Sequence, residues 1–477
     1  MPTPYLSLPA YDRMIRSLIA NGEIERALTD VALKAEAAKN EPLAFSRVYG
    51  SPTLDGLCHA LGQVVAGSLE PTPGGQPDDP VDHAIYVCTE TIGDGGHARV
   101  ISDLIRADPR KKPHVVFTNL WERPRLFTEE FEQQGAEITV LPKGSLLEKL
   151  LRLLRLLATA PRSRVFLFNH HQDAVAVTAV AGSPRHERVF VHHCDYLFCL
   201  GPFLPGVVHV DLHTTGFHRC RSSLNIDRNV YWPLTCRDSP MRHDGEFMRG
   251  GGLSTCCCAA GHKFTGNYPI NYFEVIPEVL SAVPGRHVHI GPIDDATKQS
   301  VMAGLSRRGI ATERFVHIPQ VPNLRDALLD LQIDVYLVSF PLGGGRALIE
   351  AMSAGVPVVG HVHHRDKLLG AVDLLPDDAP VWTDVPELLS TLKALTPERL
   401  RTLSRAARSR YEEHHDPRLL AGCVAHGRLL APPPQRCADV EPLQTVLFER
   451  NFVVDPPRET KAFAEFRYTI TASPGRQ

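Results

Sequence analysis

One segment, from Val335 to Gly360, constrains the fold of this chain more than any other. It starts with a short apolar run, breaks into three glycines at 343–345, continues as an amphipathic stretch to Gly355, and closes with the apolar run 356–359. This pattern predicts a strand, a glycine turn, a helix and a second strand. A glycine turn that enters a helix presents unbonded N–H groups and a positive dipole end, which suit a pyrophosphate. The plainer alternative is an ordinary strand-to-helix turn.

The acid in this segment makes the pattern more specific. Glu350 lies in the second half of the predicted helix, and Ala-Met-Ser-Ala-Gly-Val-Pro-Val-Val follows it. Together these residues resemble the donor-binding signature of GT-B glycosyltransferases. The resemblance implies that the turn, with Gly344, Gly345 and the cation Arg346, holds the diphosphate of a nucleoside-diphosphate sugar. It also implies that Glu350 holds the ribose.

One position departs from part of that superfamily. Retaining enzymes of the glycogen-synthase and mannosyltransferase type usually carry a second glutamate eight residues before this acid, and here the position is Leu342. Members that resemble the protein O-GlcNAc transferases and the bacterial adhesin glucosyltransferases also lack it. The departure favours that side of the superfamily, and an inverting displacement over retention.

Bulk composition is that of a large enzyme without nucleic-acid chemistry. The 477 residues are 43% hydrophobic, which is enough for two domains with extensions. The formal net charge of −3 gives no reason to expect a nucleic-acid partner. No run of 18 apolar residues occurs, and the N-terminus lacks the features of a signal peptide, so we expect a cytoplasmic protein. The 11 cysteines show no Cys-x-x-Cys pair and are expected to be reduced.

The chain divides into four parts. Residues 1–80 combine helical periodicity, with a break at Asn21-Gly22, and a Pro/Gly-rich stretch over 70–80 that predicts a linker. Strands and helices alternate over 81–235 and again over 250–415, as parallel doubly wound sheets require. Two such Rossmann-like domains in tandem are the GT-B architecture. We therefore expect an α/β protein with two Rossmann-like domains facing a cleft, preceded by a small helical region. No role can be assigned to the extension 416–477.

Polar residues follow several predicted strands of the first domain, where ligands of such sheets bind. The loop Gly95-Gly96-His97 comes after the first strand, and in GT-B enzymes the corresponding loop lies against the sugars. The doublet His170-His171 follows the fourth strand, and His192-His193 follows the fifth. We expect His97, His192 and His193 to line the acceptor side as catalytic residues, and the sequence does not tell which member of each doublet faces the cleft. The alternative for each is a structural role: close helix packing by the glycines, or a histidine satisfied in a polar loop.

A cation is expected near the diphosphate. Lys263 follows the first predicted strand of the second domain, in a loop that resembles the diphosphate-contacting loop of O-GlcNAc-transferase-like enzymes; a surface lysine is otherwise only a solvated charge. The many histidines could instead bind metal, but no helical His-x-x-x-His or His-Glu-x-x-His pattern joins them. We expect no metal and no cofactor beyond the donor sugar nucleotide.

The stretch 146–158 carries eight leucines with Glu148, Lys149, Arg152 and Arg155 on one face. Such a helix could lie on a bilayer as a peripheral contact, but a helix packed on a Rossmann sheet has the same pattern, and core packing is favoured.

The sequence thus predicts a metal-independent glycosyltransferase of the hexosyltransferase kind. Its partners would be a nucleotide sugar and an acceptor that is a protein, a glycan or a small molecule. Two alternatives remain open: a GT-B nucleotide-sugar epimerase, and a catalytically silent GT-B scaffold that partners another transferase. Donor base, donor sugar, acceptor and oligomeric state cannot be read from the sequence.

Overall fold

The computed structural model of the chain describes residues 7–41, 44–69, 81–91, 95–109, 111–124, 126–193, 196–226, 228–264, 268–427 and 445. Two parallel sheets with helices on their faces form the body of the protein, and three helices precede them. The expected α/β class with two Rossmann-like domains is confirmed. The predicted linker over 70–80 and nearly all of the extension beyond residue 427 lie outside the described residues.

The first sheet has seven parallel strands in the order β3-β2-β1-β4-β5-β6-β7. Its strands are β1 His83–Cys88, β2 Lys112–Phe117, β3 Glu137–Val140, β4 Ser163–Phe168, β5 Glu187–His192, β6 Val208–Asp211 and β7 Asn229–Tyr231. The central strands are short apolar runs, as burial on both faces requires. The five predicted strands are all present. The sequence analysis missed β6.

The second sheet has six parallel strands in the order β10-β9-β8-β11-β12-β13. They are β8 Leu253–Cys258, β9 Gly285–Ile290, β10 Phe315–Ile318, β11 Val335–Leu337, β12 Val358–His361 and β13 Val381–Trp382. The strand, glycine turn, helix and strand predicted around residues 335–360 are therefore confirmed.

Helices connect the strands in both domains. Those of the N-terminal region and the first domain are α1 Leu8–Ala20, α2 Ile24–Lys39, α3 Pro52–Gly67, α4 Gly96–Ala107, α5 Glu129–Gln133, α6 Leu146–Thr159, α7 Ala174–Ala181 and α8 Thr214–Ser223. Those of the second domain and the end of the chain are α9 Tyr272–Ala282, α10 Asp295–Arg307, α11 Leu324–Asp330, α12 Gly345–Ser353, α13 Val385–Lys393, α14 Pro397–His414 and α15 Pro417–His426.

The three N-terminal helices share a hydrophobic core with the first sheet. Helix α3 crosses α7 so closely that a Cβ atom at Gly62 would lie 2.5 Å from Thr178 O and 2.7 Å from Gly182 N. Such contact with backbone atoms leaves room only for glycine at this crossing. The helical region is thus packed onto the first domain as a layer of its core.

Helix α6 faces the same core. A capping box of Ser145 and Glu148 starts it, and its leucines Leu150, Leu153 and Leu157 are fully buried. The ammonium of Lys149 is buried too, and donates to Thr118 O at 3.0 Å. The apolar face is covered by protein, so the bilayer contact considered for 146–158 is not supported. In the part of the chain that the structure describes, no helix has the length and apolar character to cross a membrane.

The end of the described chain returns to the first domain. Helix α15 packs against α4, and Arg164 of β4 donates to Val424 O at 2.8 Å. Tyr411 of α14 donates to Cys236 O at 2.9 Å. These contacts tie the second domain back to the first on the side away from the N-terminal helices.

Candidate active site

Ligands of doubly wound sheets bind where the strand order reverses, at the carboxyl ends of the strands. The reversal lies between β1 and β4 in the first sheet and between β8 and β11 in the second. The candidate segments follow these four strands: His97 after β1, His170 after β4, Lys263 after β8 and the glycine turn after β11. Each sheet therefore brings two of the predicted segments to one edge.

The glycine turn runs from β11 directly into α12. A Cβ atom at Gly343 would lie 2.6 Å from the carbonyl carbon of Gly370, so only glycine fits there. No side chain among the described residues caps the start of α12 at Gly344 and Gly345. The first amides of the helix can therefore bind a ligand, and an anion would also meet the positive end of the helix dipole.

Lys263 lies at this turn. It ends a short 3₁₀ helix, Gly261–Lys263, that follows β8. Its Nζ atom donates to Gly343 O at 3.3 Å and lies 5.6 Å from the centroid of the Tyr196 ring, which belongs to the first domain. An ammonium group thus stands beside the uncapped helix start, at the boundary between the domains.

Arg346 and Glu350 form an ion pair one helical turn apart on α12, with Nε and Oε1 3.1 Å apart. The guanidinium also pairs with Asp103 of α4 and donates to Thr235 O. Burial alone would lower the pKa of Arg346, but Asp103 and Glu350 outweigh it and raise that pKa above its usual value. The cation predicted for the diphosphate is therefore engaged by carboxylates of both domains.

The first-domain glycine loop approaches the same helix. Gly95 precedes α4 and Gly96 is its first residue. A Cβ atom at Gly96 would lie 3.7 Å from the Cβ atom of Arg346. The two glycine segments thus meet across the domain boundary. Residues 92–94 of the loop lie outside the described part of the chain.

Three imidazoles from three strand ends gather beside Gly96. The rings of His97 and His193 are stacked, with centroids 4.1 Å apart and planes 13° apart. His170 meets His97 edge-on at 5.5 Å, and the indole of Trp121 meets His170 at 5.3 Å. We call His97, His170 and His193 the histidine cluster.

The histidine cluster is neutral at neutral pH. Burial, with the neighbouring His193 and His170, holds the pKa of His97 well below its usual value. Burial lowers the pKa of His170 to about 4 and, with His170 nearby, that of His193 to about 3. Nε2 of His97 and of His170 has no hydrogen-bond partner among the described residues. Both atoms are buried, so a polar group that reached them would find an unsatisfied hydrogen-bonding partner.

The other member of each doublet points away from the cluster. His171 Nδ1 bonds Phe198 O at 2.6 Å, and His192 Nδ1 bonds the fully buried Asp211 at 2.9 Å. Burial would raise the pKa of Asp211, but His209 and His192 outweigh it and hold the pKa well below the usual range. Of the pair His192 and His193, His193 is the one that joins His97.

The sequence analysis missed one residue at this site. His213 follows β6, the strand that it also missed, and its Nε2 atom would lie 3.1 Å from a Cβ atom at Gly345. Its Nδ1 atom faces Asp373 of the second domain at 3.4 Å. Burial would raise the pKa of Asp373, but His213 and hydrogen bonds from Thr214 and Thr215 hold it below its usual value. The sequence feature that could have indicated His213 is the polar stretch that follows the short, mostly apolar segment 207–210.

Comparison with known proteins rests on structure. No protein-family model matches the chain, and no curated protein matches it by sequence. A mutant O-GlcNAc transferase from Thermobaculum terrenum is similar over 88% of this chain and 83% of its own, with a TM-score of 0.52 and 16% identity. A glycosyltransferase from Rickettsia africae gives a TM-score of 0.54 at 11% identity, over 72% of this chain and 97% of its own. Anabaena HepE in complex with UDP-glucose gives a TM-score of 0.53 at 13% identity, over 72% of this chain and 98% of its own.

These similarities, together with the two sheets and their facing switch points, define the class: the chain has the GT-B fold of glycosyltransferases. The resemblance drawn from the glycine turn and Glu350 is thereby confirmed at the level of the fold. The roles of the individual site residues remain predictions.

The depressed pKa of His170 predicts a pH dependence of stability. Between about pH 6.5 and 4 the unfolded chain binds a proton at His170 that the native protein does not, so the free energy of unfolding falls as the pH falls. In His170→Gln this dependence should be shallower, by at most about 1.4 kcal/mol per pH unit. Urea unfolding at several pH values measures it. His426→Gln, at an exposed position, controls for the loss of an imidazole. The prediction would be contradicted if the free energy of unfolding depended on pH with the same slope in His170→Gln and in wild type.

Proposed function

We propose that this chain is a metal-independent glycosyltransferase that moves a sugar from a nucleoside-diphosphate sugar to an acceptor in the cleft between its domains. One observation carries the proposal: the Lys263 ammonium lies 3.3 Å from Gly343 O, beside the uncapped start of α12. A fixed cation and unbonded amides at a strand switch point are the groups that bind a phosphate. HepE, which shares the fold, has structures with UDP and UDP-glucose.

The departing diphosphate would be stabilised by these groups. Lys263 and the amides of Gly344 and Gly345 supply positive charge and N–H donors that are already in position, so little reorganisation is needed as the leaving group develops charge. His213 lies beside Gly345 and would donate from Nε2 when it is protonated. Such a set replaces the divalent ion that neutralises diphosphate in other transferases.

Glu350 is proposed to hold the ribose. Its carboxylate lies one turn further along α12 than Arg346, in the direction in which the nucleoside would extend from a diphosphate at Gly344. Arg346 occupies only Oε1 at 3.1 Å, and Asp103 shares the guanidinium charge. A ribose hydroxyl can therefore bind the carboxylate without displacing Arg346.

The histidine cluster is proposed to line the acceptor side. A pKa of about 4 for His170 lies some three units below neutral pH, so forming imidazolium there costs about 4 kcal/mol. That cost favours a neutral imidazole that accepts a hydrogen bond from the acceptor hydroxyl and orients it. The dianionic diphosphate would raise the pKa of nearby imidazoles and so reduce the cost of proton transfer to His97. Attack on the sugar from the side opposite the departing diphosphate would be an inverting displacement.

The reaction itself is tested with a panel of nucleotide sugars and candidate acceptors, with identification of every product. We expect sugar transfer without added Mg²⁺ or Mn²⁺ and after brief exposure to EDTA. Lys263→Ala should lower turnover about 10²-fold or more, the scale of losing one stabiliser of a developing anion, while the control Lys298→Ala, on α10, should not. An isomerised sugar nucleotide would identify an epimerase, absence of any reaction a silent scaffold, and dependence on Mg²⁺ would contradict metal independence.

Glu350→Ala should weaken nucleoside-diphosphate binding by tenfold or more. Hydrogen bonds to a carboxylate contribute roughly 1.5 to 3 kcal/mol each, and tenfold corresponds to about 1.4 kcal/mol. Isothermal titration calorimetry measures the affinity. Two variants serve as controls. Asp103→Asn changes a partner of Arg346 that is not proposed to contact the ribose. Glu412→Ala removes a glutamate that pairs with Arg408 on α14 at the same i, i+4 spacing. Unchanged affinity in folded Glu350→Ala, or an equal loss in Asp103→Asn, would count against ribose binding.

His97→Ala should lower turnover roughly 10²-fold, because an acceptor that is not held in line reacts more slowly. Its affinity for nucleoside diphosphate should change little, since the second domain binds the nucleotide. His114→Ala is the matched control: this imidazole bonds Thr139 in the same sheet, away from the strand ends. Normal turnover with lost nucleotide affinity would show that the domain roles are reversed.

A further inference from the structure

Four side chains with metal-binding atoms converge behind the histidine cluster. His192 ends β5, His209 and Asp211 lie two residues apart on β6, and Cys220 lies on α8. In the register of the sheet His192 is the partner of Asp211, so the strand residues share one face and α8 covers it. One ligand atom from each of the four lies within 4.8 Å of the others. We call these residues the buried quartet.

The spacing within the quartet is that of a coordination shell. Asp211 Oδ1 lies 2.9 Å from His192 Nδ1, 3.3 Å from His209 Nε2 and 3.4 Å from Cys220 Sγ. Cys220 Sγ lies 3.5 Å from His192 Nδ1. Zinc bonds of 2.0 to 2.3 Å in a tetrahedron separate the ligand atoms by about 3.3 to 3.8 Å. These four distances are at or slightly inside this spacing, and the other two are at most 4.8 Å.

Burial makes the metal-free arrangement costly. His192, Asp211 and Cys220 are 0% exposed and His209 is 2% exposed. Without a metal, three groups crowd Asp211 Oδ1: His192 Nδ1, His209 Nε2 and Cys220 Sγ. An ionised carboxylate in such a place needs a compensating charge. A divalent ion bound by carboxylate and thiolate leaves the site with no net charge.

We propose that the buried quartet is a structural zinc site with His192, His209, Asp211 and Cys220 as ligands. A set of two imidazoles, a thiolate and a carboxylate suits Zn²⁺, whereas Mg²⁺ and Ca²⁺ prefer oxygen ligands throughout. Four protein ligands with no solvent-facing position define a structural site. Binding releases the Cys220 proton, and no redox step is involved.

The site would hold the strand ends that carry two active-site residues. His193 directly follows the ligand His192, and His213 follows the ligand Asp211 by two residues. Asn229 of β7 supports Asp211 with a side-chain hydrogen bond, as outer-shell groups do at metal sites. Zinc here is separate from the diphosphate, so it leaves the metal-independent transfer chemistry unchanged.

Metal analysis of the intact protein, without an affinity tag, tests the site. After brief EDTA treatment to strip surface ions, mass spectrometry should find about one zinc per chain, because a closed four-ligand site exchanges slowly. Cys220→Ala should lose it. Cys423→Ala is the matched control, since Cys423 is another buried cysteine that lies outside the quartet, and this variant should keep its zinc.

Cobalt gives a second measurement that does not depend on a variant that folds. Protein produced with Co²⁺ in place of Zn²⁺ should show thiolate-to-cobalt charge transfer in the near ultraviolet and the strong visible bands of tetrahedral Co²⁺. Prolonged chelation of wild type should lower Tm by several degrees, with recovery on adding Zn²⁺. The proposal would be overturned if folded wild-type protein contained no zinc and its Tm did not change on chelation or on addition of Zn²⁺. Retention of zinc by Cys220→Ala would also overturn it.

Discussion

One buried guanidinium, that of Arg346, sets how the two domains face each other. It lies at the first turn of α12, yet pairs with Asp103 of α4 and donates to Thr235 O, both from the other side of the boundary. The guanidinium also pairs with Glu350, and Asp103 with Arg106, so a network of four charges joins the two domains here. This network places Gly96 against α12 and so aligns the histidine cluster with the glycine turn.

A second buried link works with the first. Arg219 of α8 pairs with Asp366 of the second domain and donates to the Tyr49 hydroxyl of the N-terminal region at 2.9 Å. Three parts of the chain therefore meet at one guanidinium. Because α8 also carries Cys220 of the buried quartet, the domain boundary, the proposed zinc site and the active-site strand ends belong to one connected structure.

The features that depend on local sequence pattern could be predicted from the sequence. Alternating apolar runs predicted both sheets, and the glycine turn with Glu350 predicted the fold. What it could not predict depends on distant partners: Asp103 lies 243 residues from Arg346. Adjacent residues at a strand end point to opposite faces, so one of His192 and His193 had to face inward, and packing on α8 decides which. The quartet escaped notice because its i, i+2 strand spacing matches no helical metal motif.

The central claim is that the second domain holds the donor diphosphate between Lys263 and the start of α12. A crystal structure of the protein with a nucleoside diphosphate tests it directly. The account predicts phosphate density within hydrogen-bond distance of Lys263 Nζ and the amides of Gly344 and Gly345, with the ribose at Glu350. Nucleotide density at the first domain alone, or a diphosphate bound through a metal ion away from Lys263, would contradict it.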